Sequence, residues 1–278
     1  MSDKTCIVVL GQTRYHVQRP WPSISYDFTG ISDVSVLTDG RIAVLQRKSP
    51  HIQVFLPSGE LDDEWNIPAL VWPHYLCSDF MGGVLIADVD GHQIIAVDGR
   101  GSMQWSLGCP KHPKWMEPFN HPTAAYIGAD NTMYVSDGYG NSCLHRFDAN
   151  RQLMYTIGEQ GCGKGQFSTP HDVIQLRTGK VLVVDRENHR VQVFTSSGEY
   201  LVDVSDLYKP MAAEPVPDGG FMVTDQTPRL SLFTSEGKLV GRCRTYSANP
   251  HGLSVAGDNC IYLAEMMPDT LMRLVPIQ

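Results

Sequence analysis

Residues 165–194 read GQFSTPHDVIQLRTGKVLVVDRENHRVQVF. Pro170-His171-Asp172-Val173 leads to a Thr178-Gly179 turn, an apolar run from Val181 to Asp185, a second run from Asn188 to Phe194, and a Ser197-Gly198-Glu199 turn. Short runs of Val, Ile and Phe broken by Gly and Asp are the pattern of antiparallel hairpins. The unit recurs: inner starts fall near Ile31, Pro73, Pro122, Pro170, Pro210 and Pro250, and first turns at Asp39-Gly40, Gly82-Gly83, Asp130-Asn131, Thr178-Gly179, Asp218-Gly219 and Asp258-Asn259. A repeat of roughly 40 to 50 residues marks a propeller or a solenoid. No long segment has helical periodicity. The expectation is an all-β chain of six four-stranded blades, a six-bladed β-propeller formed by residues 1–278 as a single domain.

The ends of the chain bear on closure. The last copy offers strands near Leu253 to Val255, Ile261 to Leu263 and Leu271 to Val275, and lacks a fourth. Cys6 to Leu10 is an unassigned strand at the other end. Pairing the two would close the ring and remove an open sheet edge.

Composition narrows the classes. A net charge of −8 argues against a nucleic-acid partner, since phosphate binding needs a basic face. No apolar run is long enough to span a membrane, and Met1-Ser2-Asp3-Lys4 is not a signal peptide. The seven cysteines are scattered and odd in number, with no CxxC pair, as expected of reduced thiols in a cytoplasmic protein. Oligomeric state is not legible.

Three Pro-His pairs carry the chemistry: Pro73-His74, Pro170-His171 and Pro250-His251. They occupy the same point of the second, fourth and sixth copies. Alternate blades of a six-membered ring lie a third of a turn apart, so His74, His171 and His251 would meet on the axis. Three neutral imidazoles with an open fourth position are an arrangement of catalytic zinc, and each ring should donate its other N–H to an outer acceptor. In the third copy Thr123 fills this slot, and His121, two positions away, is read as a non-ligand. Asp88, Asp137, Asp185, Asp225 and Glu265 recur at the end of the second strand and are read as structural braces for turn amides.

The stretch from Gly165 to Phe194 resembles the NHL repeat family. More narrowly, Val135-Ser-Asp-Gly-Tyr-Gly-Asn-Ser142 and Gly165 to Arg190 resemble the peptidyl-α-hydroxyglycine α-amidating lyases. That resemblance implies a zinc ion held by His74, His171 and His251, with Tyr139, Arg47 and Arg186 acting in the chemistry. It also implies cleavage of an N–Cα bond in an α-hydroxyglycine to an amide and glyoxylate. The sequence departs from the family at three points. An aspartate that serves a calcium site is Gly252 here, which leaves calcium in doubt, with main-chain carbonyls near Leu76 as the remaining contribution. A methionine is Asn249, and a cysteine is Gly140.

Each residue also has a bland reading. Tyr139 would otherwise be a surface aromatic over a turn. Arg186, between Asp185 and Glu187 and near Arg190, could belong to an ion-pair network, whereas Arg47 has fewer obvious partners. Two guanidinium groups at a channel mouth suit a carboxylate. The expected activity is a zinc-dependent lyase that cleaves the C–N bond of a small, carboxylate-bearing carbinolamide. The alternatives are another metal-dependent propeller reaction, a hydratase, dehydratase or lactone or ester hydrolase, and a non-catalytic interaction platform using some of Trp21, Trp65, Trp72, Trp105 and Trp115.

Overall fold

The six repeat units fold into six antiparallel sheets. The computed structural model describes residues 6–22, 26–128 and 130–277. Inner strands are Ile31–Val36, Pro73–Ser78, Ala124–Ile127, Pro170–Gln175, Pro210–Pro215 and Pro250–Val255. Each contacts the next in order, and the sixth returns to the first. The result is a six-bladed β-propeller, and the helical content of the described residues is one 3₁₀ turn, Arg186–Asn188.

Every second strand is buried along its whole length: Ile42–Gln46, Val84–Asp88, Met133–Asp137, Val181–Asp185, Phe221–Asp225 and Ile261–Glu265. Covered on both faces by neighbouring blades, these strands read as continuous apolar runs rather than alternating ones. The phenylalanines that end third strands, Phe55, Phe147, Phe194 and Phe233, are buried between blades. Gly179 and Gly219 take φ of 82° and 90° in hairpin turns, a region open to glycine without steric cost.

Closure differs from the sequence expectation. The strand that pairs with the last one, Thr270–Ile277, is Thr13–Gln18, with Arg14 opposite Ile277 and Val17 opposite Leu274. Ile7–Leu10 turns back through Gly11 and Gln12 and pairs outside it, making the sixth blade five-stranded. Tyr15 is buried in the core between the fifth and sixth blades together with Val8 and Leu10 of the outer strand, whose Ile7 and Val9 are exposed. Ring closure by an N-terminal strand is correct; the strand is the next one along.

The recurrent acids act as braces. Asp88 accepts from the N–H groups of Val71 and Trp72, Asp137 from Asn120, Asp185 from Ser168, Asp225 from Tyr208 and Glu265 from Ala248. Each thus holds the segment that leads into its own blade's inner strand.

Candidate metal centre

At the top of the inner strands the ladder slips by one residue. Pro73 faces Asp88 while Tyr75 faces Ala87; Pro170 faces Asp185 while Asp172 faces Val184; Pro250 faces Glu265 while Gly252 faces Ala264. The residue left over in each case is the histidine. A β-bulge re-aims one side chain relative to the pleat, and here it turns His74, His171 and His251 toward the axis. Their rings lie 4.9–5.0 Å apart, centre to centre, and one nitrogen of each falls within 4.8 Å of the others.

The odd blades orient the rings. His74 Nδ1 donates to the Thr123 carbonyl at 2.7 Å, His171 Nδ1 to Met211 at 2.8 Å and His251 Nδ1 to Ser32 at 2.7 Å. Ser32, Thr123 and Met211 occupy the histidine's own slot in blades one, three and five. These bonds place the proton on Nδ1 and leave the Nε2 lone pairs facing inward. Burial is the main force holding all three rings neutral: His74 and His171 fall well below the ordinary histidine range, and His251 falls to about 3. Three buried, neutral imidazoles with converging lone pairs fit a divalent transition metal. The outer acceptors foreseen in the sequence are main-chain carbonyls, whose supply does not depend on the side chain.

Tyr139 lies over this cluster, with its hydroxyl 2.9 Å from His74 Nε2 and 3.1 Å from His171 Nε2. Both nitrogens are acceptors, so the phenol is the donor. A side chain on Gly138 would put its Cβ 1.9 Å from the Pro170 carbonyl and 2.9 Å from Thr123 Oγ1. Only glycine lets the third blade approach the fourth closely enough for this placement. Burial raises the phenol's pKa, against the pull of Arg186 and Arg47.

The two arginines differ. Arg186 Nη1 donates to the Tyr139 hydroxyl at 3.4 Å, while its Nε is held by Glu187 at 2.9 Å. Glu187 is itself paired with Lys209 at 3.1 Å. Arg186 thus both belongs to an ion-pair chain and touches the Tyr139 hydroxyl. Arg47 stacks on Trp72 at 4.9 Å and donates to the Pro73 carbonyl. Its Nε is buried without an acceptor, and among the described residues no carboxylate is within ion-pair distance of it. Burial lowers its pKa to about 10.

Tyr75 closes the site from below. Its hydroxyl donates to the carbonyls of Met211 and His251 at 2.8 and 2.6 Å. Beneath it, on the opposite side from the imidazole Nε2 atoms, a chamber of about 590 Å³ is lined by Asp33, Asp172 and Glu214 among others. Burial lifts Asp172 to about 7 and Glu214 to about 8. The sequence reading missed Tyr75, Ser32, Met211 and this acid group; the first is masked as one more strand aromatic. A second set of possible ligands, Asp137, Cys143 and His145, lies inside the third blade. His145 bonds Asp137 at 3.2 Å and Thr156 at 2.8 Å, a buried pair in the place where Gln192 meets Asp185 in the fourth blade.

Residues 167–194 match the NHL repeat. The fourth blade of the propeller thus carries a recognisable NHL repeat. The chain is 29% identical to NHL repeat-containing protein 3 of Mus musculus, over 92% of this chain and 82% of that one. It is 24% identical to a Caenorhabditis elegans protein named probable peptidyl-alpha-hydroxyglycine alpha-amidating lyase, over 92% of this chain and 76% of that one. Amidating lyases thus stand among its relatives. Virginiamycin B lyase from Staphylococcus aureus superposes with a TM-score of 0.68 at 14% identity, covering 95% of this chain and 100% of that one, which is a likeness of fold. No helix among the described residues is long and apolar enough to cross a membrane.

Proposed function

We propose that this propeller is a zinc-dependent carbon–nitrogen lyase acting on a small carbinolamide that carries a carboxylate. The observation that carries the reading is the Tyr139 hydroxyl bridging two of three converging neutral imidazoles. His74, His171 and His251 would hold the ion, which when bound supplies Lewis-acid polarisation of a hydroxyl. Arg47, half-buried and without a carboxylate partner among the described residues, takes the substrate carboxylate. The phenol carries its proton at neutral pH, so Tyr139 works as a relay. Its proton passes to the leaving amide nitrogen, and the proton of the substrate hydroxyl replaces it. The C–N bond breaks, its electron pair going to nitrogen, while the C–O bond becomes a carbonyl. The products are a primary amide and an aldehyde or keto acid. Arg186, fixed by Glu187, steadies the phenol oxygen as charge builds on it. All seven cysteines are free thiols, and we place the protein in the reducing cytoplasm.

The test is metal analysis of tag-free protein, followed by product analysis with α-hydroxyglycine amides and ureido analogues. We expect about one zinc per chain, lost in His74→Ala, His171→Ala and His251→Ala. Cleavage in ¹⁸O-water should leave the carbonyl oxygen unlabelled at early times; immediate labelling would mean hydrolysis instead. A folded wild type that takes up no zinc would leave an interaction platform.

A further inference from the structure

The mouth of the site repeats one main-chain hydrogen bond around the ring. Arg47 N–H donates to the Gly30 carbonyl, Val89 to Trp72, Tyr139 to His121, Arg186 to Thr169 and Met266 to Asn249, at 2.9–3.2 Å. Each acceptor lies two residues before its blade's axial slot. The side chains at these places stand at the rim: Trp72, for one, covers the Arg47 guanidinium. In the sixth blade the rim residue is Asn249, two positions before His251. Its Oδ1 is buried with no donor among the described residues. In a six-membered ring the sixth blade faces the third across the axis, so Asn249 stands opposite Tyr139, as Arg47 of the first blade stands opposite Arg186 of the fourth.

A buried acceptor left without a donor is costly, and native structures leave few of them. Two atoms without partners among the described residues, Arg47 Nε and Asn249 Oδ1, therefore belong to residues joined to this rim by the repeated main-chain bond. Arg47 wants an anion, and Asn249 wants an N–H. A carbinolamide of the proposed kind offers both, a carboxylate and, on the other side of the reacting carbon, a nitrogen bearing hydrogen.

We infer that Asn249 is a specificity-determining residue that accepts the substrate's amide or ureido N–H, so that the site selects nitrogen-linked over oxygen-linked glycolate derivatives. This rests on the proposed lyase site. The hydrogen bond forms in the bound substrate and persists as the nitrogen becomes a primary amide, because the acceptor needs only an N–H in either state. An ester oxygen at the same position would meet Asn249 Oδ1 lone pair to lone pair, a repulsive contact that sharpens the choice.

Calorimetric titration of the zinc-loaded protein with N-acetylglycine and with its ester counterpart, acetoxyacetate, tests this without turnover. The two ligands share a carboxylate and length and differ in one N–H. Wild type should bind the amide about five- to tenfold more tightly. Asn249→Leu, which keeps volume, and Asn249→Ala should bind the two equally, with zinc content unchanged. Arg47→Ala should weaken both by about ten- to a hundredfold and keep their ratio. An amide preference that survives in both Asn249 variants overturns the inference. Equal binding of the two ligands by wild type overturns it too, and leaves Arg47 as the carboxylate site. Binding of neither by wild type overturns the lyase site itself and the inference with it.

Discussion

Tyr139 shows how little separates a surface aromatic from a working group. Its ring is partly exposed, yet its oxygen touches two imidazoles and one guanidinium. Tyr139→Phe should keep the metal and lose about a hundred- to ten-thousandfold in kcat, read as zinc content beside steady-state rates. Glu187 reaches the tyrosine only through Arg186, so Glu187→Gln should lower kcat by about ten- to a hundredfold while KM changes little, and Glu187→Asp should recover part of the loss. The histidines were legible because the same dipeptide recurs at the same place. Ser32, Thr123 and Met211 were not, since any residue offers a carbonyl and side-chain identity carries no trace of it.

At the scale of the strand, the decisive device is the bulge. A regular ladder through Pro73–Ser78 would fix successive side chains to alternate faces; the slipped residue escapes that alternation and points down the axis. Gly138 protects the arrangement from the next blade. Gly138→Ala must displace the Pro170 carbonyl, 1.9 Å from the added carbon, and should cost about 1–3 kcal/mol of stability by denaturant titration along with most of the metal affinity. Closure gives a second strand-level contrast. Val17 N–H donates outward to Cys6, so His16 N–H points to the last strand, opposite Val275. His16→Pro should therefore remove a ladder hydrogen bond of the closing pair and cost about 1–3 kcal/mol, whereas deleting residues 1–11 should leave the ring closed but cost about 2–5 kcal/mol, since Val8 and Leu10 leave the core. Melting temperatures compare the two. Ile7–Leu10 is the apolar run and Thr13–Gln18 a largely polar one, so the hydrophobic pattern points to the outer strand rather than to the one that closes the ring.

Across the whole molecule, two buried groups titrate in opposite senses. The unfolded chain protonates His251 near the ordinary histidine value of about 6.5, the folded ring near 3; between these the unfolded state holds more protons, and stability falls as pH falls. Asp172 moves the other way, from 3.8 to about 7, so over that interval the folded state holds more protons and stability rises as pH falls. The two slopes oppose each other between about pH 4.5 and 6, each about 1.4 kcal/mol per pH unit. His251→Ala should tilt the stability profile toward greater stability at acid pH, and Asp172→Asn should tilt it the other way, as urea titrations at several pH values will show. The repeat, the number of blades and the three axial histidines were determined by sequence alone, because hydrophobic period and turn residues act locally and copies of a unit report on one another. Which N-terminal strand closes the ring, the bulges that aim the histidines, Tyr75 as a floor, the orphan amide of Asn249 and the protonation of the lower chamber were decided only by tertiary structure. Each depends on what residues far apart in the chain present to one another once the ring has closed, and on the loss of water from between them.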